Sequence, residues 1–355
     1  MRTALVGVPI ARPIVSSVRR ADVVIDLLVE VLTEEGTGVA YVAGFTENKA
    51  RSLRLLVEEL GAEIAGMRAD GIDAAWRRMW SSLTLVGHSG LAAFALSAID
   101  IALWDLRGKR AHLPLYRLLG GSSAGIQAYA SDGCWLGGGP DKVAAEAAAF
   151  VAEGFRSVKI RFGRQDQRED YLVLEAVRHA VGDGVELMVD VNQGWSRDRA
   201  RLCGSALAEA RVRWLEEPLA AEDVDGLGQL RRELAVEIAA GENAYFPAGI
   251  EALVKAKAAS VLMPDLQRIG GITGWLRAHD LAQEAGLLLS PHLFPEINVH
   301  LLASIADPGP LEYVTWAERI LREPLAVRNG RAAPPDRPGL GIEFDGAAVQ
   351  RLRLD

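Results

Sequence analysis

Three acidic residues in the second half of the chain, Asp190, Glu216 and Glu242, could together do metal chemistry. Each ends or directly follows a short apolar run: Glu186–Asp190, Arg213–Glu216 and Glu237–Gly241. If these runs are neighbouring strands, the three carboxylates meet at one edge. Carboxylates within a few ångströms raise one another's pKa unless a cation neutralises them. All-oxygen ligation suits a hard divalent ion, and a site that keeps some water suits Mg2+. Pairing with Lys or Arg is the alternative use of such residues. No HExxH or CxxC zinc pattern competes.

Two further pairs flank this trio. Lys159 and Arg161 are two apart on one run, so both side chains point to the same face of a strand. Asp265 and His292 follow two later, successive runs. A carboxylate beside an imidazole fixes its tautomer and raises its basicity, the arrangement a general base needs. The other five histidines, His88, His112, His179, His279 and His300, fall on helices or loops and read as structural or solvated. Only His292 ends a strand, in Ser290-Pro291-His292-Leu293-Phe294.

Positioning these groups requires a repeated element. From residue 126 onward, eight apolar runs recur, each followed by a helical stretch: Ile126–Ser131, Val158–Phe162, Glu186–Asp190, Arg213–Glu216, Glu237–Gly241, Val261–Pro264, Leu287–Ser290 and Leu311–Thr315. The helices include Lys142–Glu153, Arg168–Val181 and Ala248–Ala258. Eight βα-like units favour a closed parallel barrel over an open doubly wound sheet. In such a barrel the carboxyl ends of all strands converge on one mouth. One charged residue after a strand is an ordinary loop residue. A polar or ionisable group on every strand, from Ser131 on the first to Glu312 on the last, is not.

Residues 1–122 follow another plan, with strands at Leu5–Ile10, Val23–Leu32 and Val39–Ala43, then helices at Thr46–Leu60, Gly71–Trp80 and Leu91–Leu106, the last ended by Gly108. The expected division is therefore an α+β unit over 1–122, a barrel over 123–328, and a segment over 329–355 that returns to the first unit. Asp100 and Asp105, on the third helix, read as structural.

Composition narrows the partners. Half the residues are hydrophobic and 24% charged, which excludes a disordered chain. Lys+Arg 39 against Asp+Glu 47 gives a net charge of −8 with no basic run, which argues against nucleic acid. The most apolar stretch, Leu91–Trp104, is interrupted by Asp100 and too short to span a bilayer. Two cysteines, Cys134 and Cys203, make no disulfide framework, and the first residues carry no apolar leader. A cytoplasmic protein acting on a small molecule is expected.

At this point a family resemblance is evident over nearly the whole chain. Lys159-Ile160-Arg161, Asp190-Val191-Asn192, Trp214-Leu215-Glu216-Glu217-Pro218, Gly241-Glu242-Asn243, Met263-Pro264-Asp265, Ile269-Gly270-Gly271, His292-Leu293-Phe294 and Glu312, with Ala98–Asp105 near the start, resemble the mandelate racemase subgroup of the enolase superfamily. The superfamily is itself a standard illustration of proton abstraction beside a carboxylate by a Lys or His base with Mg2+. The resemblance implies a modified (β/α)7β TIM barrel under an α+β capping domain, and a homo-oligomer. By motif, Asp190, Glu216 and Glu242 would hold Mg2+, and Asp265 and His292 would be the base dyad. Lys159 and Ser131 would meet the substrate carboxylate and Asn192 its α-hydroxyl. Glu312 would donate a proton or hydrogen bond to the ene-diolate, for which its pKa would have to be raised by burial near other carboxylates.

Arg161 departs from the pattern. The racemase pattern has a lysine there that serves as acid/base on the opposite face of the substrate. A guanidinium stays charged and is a poor base. One-base chemistry fits β-elimination, so the resemblance points to an acid-sugar dehydratase making a 2-keto-3-deoxy acid. A racemase or epimerase of 2-hydroxy acids and a non-catalytic metal-binding relative are the alternatives. Specificity in this family lies in a cap loop, here about 12–20, where Arg12, Arg19 and Arg20 suit a hydroxylated or dicarboxylic substrate. Trp135 and Gly137-Gly138-Gly139 follow the first run as a loop able to close the mouth.

Overall fold

A computed structural model describes residues 1–122 and 124–355. Residue 123, the expected first residue of the barrel segment, lies outside the described residues.

The chain opens with an antiparallel meander of β1 (Arg2–Val15), β2 (Arg20–Thr33) and β3 (Gly36–Ala43). β1 and β2 outrun the expected strands because their pairing continues from Arg2↔Glu30 to Pro9↔Val23, breaks at a bulge, and resumes at Ile14↔Ala21 beside the turn. This gives a long hairpin whose tip, residues 16–19, projects beyond the sheet. Helices α1 (Glu47–Glu63), α2 (Ile72–Ser82) and α3 (Leu91–Arg110) follow, then the short α4 (Leu115–Leu118). α1 begins where the Thr46 hydroxyl accepts from the Lys49 N–H, an ordinary N-cap.

Here one expectation is corrected: α3 does not stop at Gly108 but runs through it to Arg110. The glycine serves packing, since a Cβ there would stand 2.7 Å from the Cα of Gly339.

Eight parallel strands form the barrel: β4 (Ile126–Ala130), β5 (Ser157–Arg161), β6 (Glu186–Asp190), β7 (Val212–Glu216), β8 (Glu237–Ala240), β9 (Val261–Leu262), β10 (Leu288–Leu289) and β11 (Leu311–Tyr313). The helices between them are α5 (Pro140–Ala152), α6 (Gln167–Val181), α7 (Arg197–Glu209), α8 (Val224–Glu233), α9 (Phe246–Lys255), α10 (Gly271–Glu284) and α11 (Pro295–Leu302). β11 pairs with β4, and the ring closes where Gly309 N–H donates to the Leu289 carbonyl at 3.0 Å and the Ser290 hydroxyl to the Pro310 carbonyl at 2.7 Å. The last strand has no barrel helix after it, which makes the barrel (β/α)7β. Tyr129, Met188, Trp214, Ala239, Val261 and Met263 pack inside as an apolar floor beneath the mouth.

After the barrel, β12 (Val327–Arg328) and β13 (Arg331–Ala332) form a hairpin that pairs β13 antiparallel to β4, and α12 (Gly346–Leu352) follows. The chain then reaches the meander again, with Leu354 N–H donating to the Leu5 carbonyl at 2.9 Å.

Two buried aspartates of α3 hold these parts together. Asp100 accepts from the N–H and hydroxyl of Thr273 on α10, at 2.9 and 2.6 Å. Asp105 accepts from Val39 N–H and Leu340 N–H, both at 2.8 Å. Each satisfies donors that burial would otherwise leave unpaired. Among the described residues no helix is long and apolar enough to cross a membrane.

Candidate active site

Lys159 and Arg161 leave β5 toward the mouth, and both are almost wholly buried. The Lys159 ammonium lies 2.6 Å from Glu216 Oε1, 2.7 Å from Glu312 Oε1 and 3.6 Å from Asp190 Oδ2. Burial opposes its charge, but Glu216 and Glu312 outweigh that and hold its pKa well above the usual ammonium value. Lys159 is therefore a fixed cation.

Arg161 is pinned differently. Its Nη1 donates to the carbonyls of Ser131 at 2.7 Å, Gly133 at 3.2 Å and Lys159 at 3.4 Å, and its Nη2 to the Ser131 hydroxyl at 2.9 Å. The guanidinium lies 4.0 Å from the Trp135 ring centroid, a cation–π contact. Trp135 in turn packs on Ile14 and Val24 of the meander.

On the other side of the mouth, His292 Nδ1 is 2.7 Å from Asp265 Oδ2. Asp265 Oδ1 accepts from the N–H groups of Gln267 and Arg268, both at 3.0 Å, so the carboxylate cannot rotate freely. His292 Nε2 faces Glu242 Oε2 at 3.5 Å. Burial lowers the imidazole pKa, but Glu242, the Asp265 hydrogen bond and Glu312 together push it up to about 9. Glu242 is the largest of the groups that favour a protonated ring.

Glu312, at the end of β11, sits between the two sides. It accepts from the Ser131 hydroxyl at 2.6 Å and the Leu293 N–H at 2.8 Å, besides the Lys159 contact. Burial alone would raise its pKa. Lys159 and His292 reverse that and hold it well below the usual carboxylate value. The expected raised pKa is not found here: with Lys159 and Ser131 on one oxygen and the Leu293 N–H on the other, Glu312 is surrounded by donors and accepts from all of them.

Asp190, Glu216 and Glu242 stand at consecutive strand ends, and Asp190 pairs in register with Glu216. Their carboxylates are not gathered into one shell, however. Among the described residues no three His, Cys, Asp or Glu side chains converge closely enough to hold a metal ion. The buried ammonium is the reason: it draws Glu216 Oε1, while the Trp214 indole N–H holds Oε2 at 3.1 Å. Asp190 accepts from the N–H and side-chain amide of Asn192, at 2.8 and 3.0 Å. The three side chains stand at the expected strand ends but point in different directions.

The donors still fit Mg2+. All are hard oxygens, and the cluster holds more negative charge than Lys159 and Arg161 offset. Glu216 is pushed up to about 8, by burial first, with Asp190, Glu312 and Glu242 adding to it against Lys159. Glu217 is also pushed up to about 8, by burial and then by Glu242. A divalent cation on this edge removes that repulsion.

Arg19 is not brought into this group. Its guanidinium stacks 5.2 Å from the Phe45 ring centroid and donates to the Phe45 carbonyl at 3.4 Å. Arg12 donates to the Asp132 carbonyl at 3.3 Å, and with Arg20 and one side of Trp135 lines a cavity of about 310 Å³. Asn192 does reach the mouth, in the left-handed region with φ 45°, which Asn tolerates.

Sequence reasoning missed two residues. Arg268 is 3.1 Å from Asp265 Oδ2; its place three residues after the aspartate was the available signal. Glu217 is buried and accepts from the Asn243 amide at 2.7 Å. Strand alternation hides it, because a left-handed φ of 34° at Glu217 turns it back toward the site.

Comparison with known proteins places the chain in a family. Residues 1–120 match the mandelate racemase/muconate lactonizing enzyme N-terminal domain family, and residues 142–348 the enolase C-terminal domain-like family. The chain is 34% identical over its whole length, and 99% of the relative's, to a 3,6-anhydro-alpha-L-galactonate cycloisomerase of Streptomyces coelicolor. It is 36% identical to the L-talarate/galactarate dehydratase of Salmonella typhimurium, over 84% of this chain and 75% of that one. The solved L-talarate dehydratase of Polaromonas sp. JS666, complexed with Mg and L-glucarate, superposes with a TM-score of 0.93 at 32% identity, covering 99% of this chain and 96% of that one.

The chain belongs to the mandelate racemase/muconate lactonizing enzyme family of the enolase superfamily, and it is an enzyme of that kind. Magnesium, bound in several solved relatives, is the cofactor of the family.

Proposed function

We propose that this protein is a magnesium-dependent dehydratase that converts a small acid sugar into a 2-keto-3-deoxy acid. The observation that carries the reading is the immobilised Arg161. Its guanidinium is bound to three carbonyls and a hydroxyl and stacked on Trp135, so this side of the mouth offers no base, whereas the other offers His292.

Asp190, Glu216 and Glu242 would hold Mg2+, which supplies positive charge beside the substrate carboxylate. Lys159 binds that carboxylate, and Asn192 orients the α-hydroxyl. His292 Nε2 removes the α-proton while Asp265 holds Nδ1–H and stabilises the imidazolium. Lys159 balances the charge that builds on the carboxylate oxygens. The C–O bond to the β-hydroxyl then breaks, and His292 returns its proton so that water leaves. The resulting enol tautomerises to the ketone. Glu312, as an anion, holds Lys159 and Ser131 in place. Trp135 walls the chamber, and Arg19, through Phe45, shapes the cap above it. In this reading residues 1–122 are the cap, 123–328 the barrel and 329–355 a segment that braces the cap.

A panel of acid sugars incubated with Mg2+ and assayed for 2-keto acid tests the proposal, with 2-hydroxy acids run in parallel in D2O. Formation of a 2-keto acid from at least one sugar is expected. Deuterium at the α-carbon of the opposite enantiomer, with no keto acid, would move the protein to the racemases. Metal binding with neither product would leave a non-catalytic relative.

A further inference from the structure

The tip of the β1–β2 hairpin rests in a socket formed by two barrel loops. The turn is closed by Ser16 N–H donating to the Arg19 carbonyl at 2.9 Å. From it, the Ser17 hydroxyl donates to the Val191 carbonyl at 2.9 Å. Val191 lies between Asp190 and Asn192, so this bond ties the cap to the strand end that carries both.

The same serine faces two residues that lack a side chain. A Cβ on Gly163 would stand 2.6 Å from Ser17 Oγ; one on Gly194 would stand 2.7 Å from that oxygen and 3.0 Å from Ser17 Cβ. Gly163 has φ +126°, a backbone reason of its own to be glycine. Gly194 has no positive φ, so its restriction comes from what its Cβ would meet: Ser17, and the Val191 carbonyl at 3.0 Å. The two glycines follow different strands, β5 with Lys159 and Arg161, and β6 with Asp190.

The hairpin has other anchors on the opposite flank. Leu136 N–H donates to the Val15 carbonyl at 2.9 Å, Arg12 reaches the Asp132 carbonyl, and Ile14 packs on Trp135. The hairpin therefore runs from the loop after β4 to the loop after β6, across the end of β5. Ser17 is its far anchor.

We propose that Ser17 is a positioning residue, whose hydroxyl, seated against Gly163 and Gly194 and bonded to the Val191 carbonyl, latches the hairpin across the strand end that carries Lys159 and Arg161. The latch fixes one wall of the substrate chamber. Its effect on turnover rests on the proposed reading of that chamber, whereas the seating itself does not.

Amide hydrogen exchange on the full-length protein with Mg2+ tests the seating. In Ser17→Ala, residues 14–20 should exchange about fivefold faster, as expected for one lost hydrogen bond in a locally opening segment. Gly194→Ala should loosen the same segment at least as much. Combining Gly194→Ala with Ser17→Gly removes the contacts with Ser17 and leaves only that with the Val191 carbonyl, so the pair should loosen the segment by less than the two single substitutions added together. Unchanged exchange in Ser17→Ala, or additive loosening in the pair, would overturn the latch. If Gly194→Ala fails to fold, Ser17→Ala still decides the point.

With a sugar acid from the panel, Ser17→Ala should raise KM about fivefold and change kcat less than about twofold. A fall in kcat at constant KM would contradict a positioning role. Should the panel give no substrate, the dehydratase reading fails while the exchange data still judge the seating.

Discussion

On one side of the mouth His292 stands with one ring nitrogen on Asp265 and the other 3.5 Å from Glu242. On the other, Arg161 ends β5 with its guanidinium bonded to three carbonyls and 4.0 Å from the Trp135 ring centroid. Both sides put a nitrogen-bearing side chain at or just beyond a strand end, among carboxylates. They differ in what the nitrogen can do: an imidazole exchanges a proton near neutral pH, and a guanidinium does not. A chamber with an exchanging group on one side only favours elimination over inversion at the α-carbon.

The largest effect should follow from removing the exchanging group. His292→Asn should lower α-proton exchange in D2O by about 10³-fold or more; retained exchange would mean that another residue is the base. Glu312 joins the two sides through Ser131, Lys159 and Leu293, and Glu312→Gln presents an amide N–H to one of those donors. A drop of about 10²-fold in kcat/KM is expected. Unaltered kinetics would show that its negative charge is not used.

Arg161→Lys tests the difference between the sides directly. A lysine cannot reproduce the stacked, forked contacts, so dehydration should slow by about tenfold and the freed amine should begin to exchange the α-proton from the second face. Measured on a 2-hydroxy acid in D2O, label in the opposite enantiomer supports this, and its absence removes Arg161 as the barrier.

The smallest effect concerns what lies behind His292. Asp26 and Glu296 line a small cavity with Leu293 and Phe294, and Tyr41 donates to Glu296 at 2.5 Å. Burial, then Glu296, pushes Asp26 up to about 7 against Arg19; burial likewise pushes Glu296 up to about 7 against the Tyr41 hydrogen bond. With folded values above unfolded ones, the folded state binds more protons between about pH 4 and 7. The stability these groups contribute is complete below that window and lost as pH rises through 7. Glu296→Gln should therefore be stabilised relative to the native chain by roughly 1–2 kcal/mol more at pH 8 than at pH 5 in thermal unfolding. An equal difference at both pH values would break the assignment.

Much of this was legible from the order of residues. The eight apolar runs become β4–β11 because a strand of four or five residues needs only a short apolar stretch, and their polar endings mark the mouth. The runs at 261–264 and 287–290 yield strands of only two residues each, since Pro264 and Pro291 withhold the N–H groups a ladder needs. Gly108 reads as a helix stop but is a packing site against Gly339, a contact between residues far apart in the chain. Arg19 reads as a substrate ligand, and Phe45, from another loop, claims it. Glu312 reads as an acid until Lys159, Ser131 and Leu293 are seen around it.

Residue type and spacing by themselves determined which strand-end side chains, from Lys159 to Glu312, reach the mouth, because strand period and barrel closure leave little choice of face; Glu217, turned in by a left-handed backbone, escaped that rule. Tertiary structure alone decided their charge and direction. Whether a carboxylate is an acid or an anion, and whether Glu216 turns to Lys159 or toward its neighbours, depends on donors brought within 3 Å from distant strands. Charge–charge energies at that range in a buried site exceed any local preference of the chain.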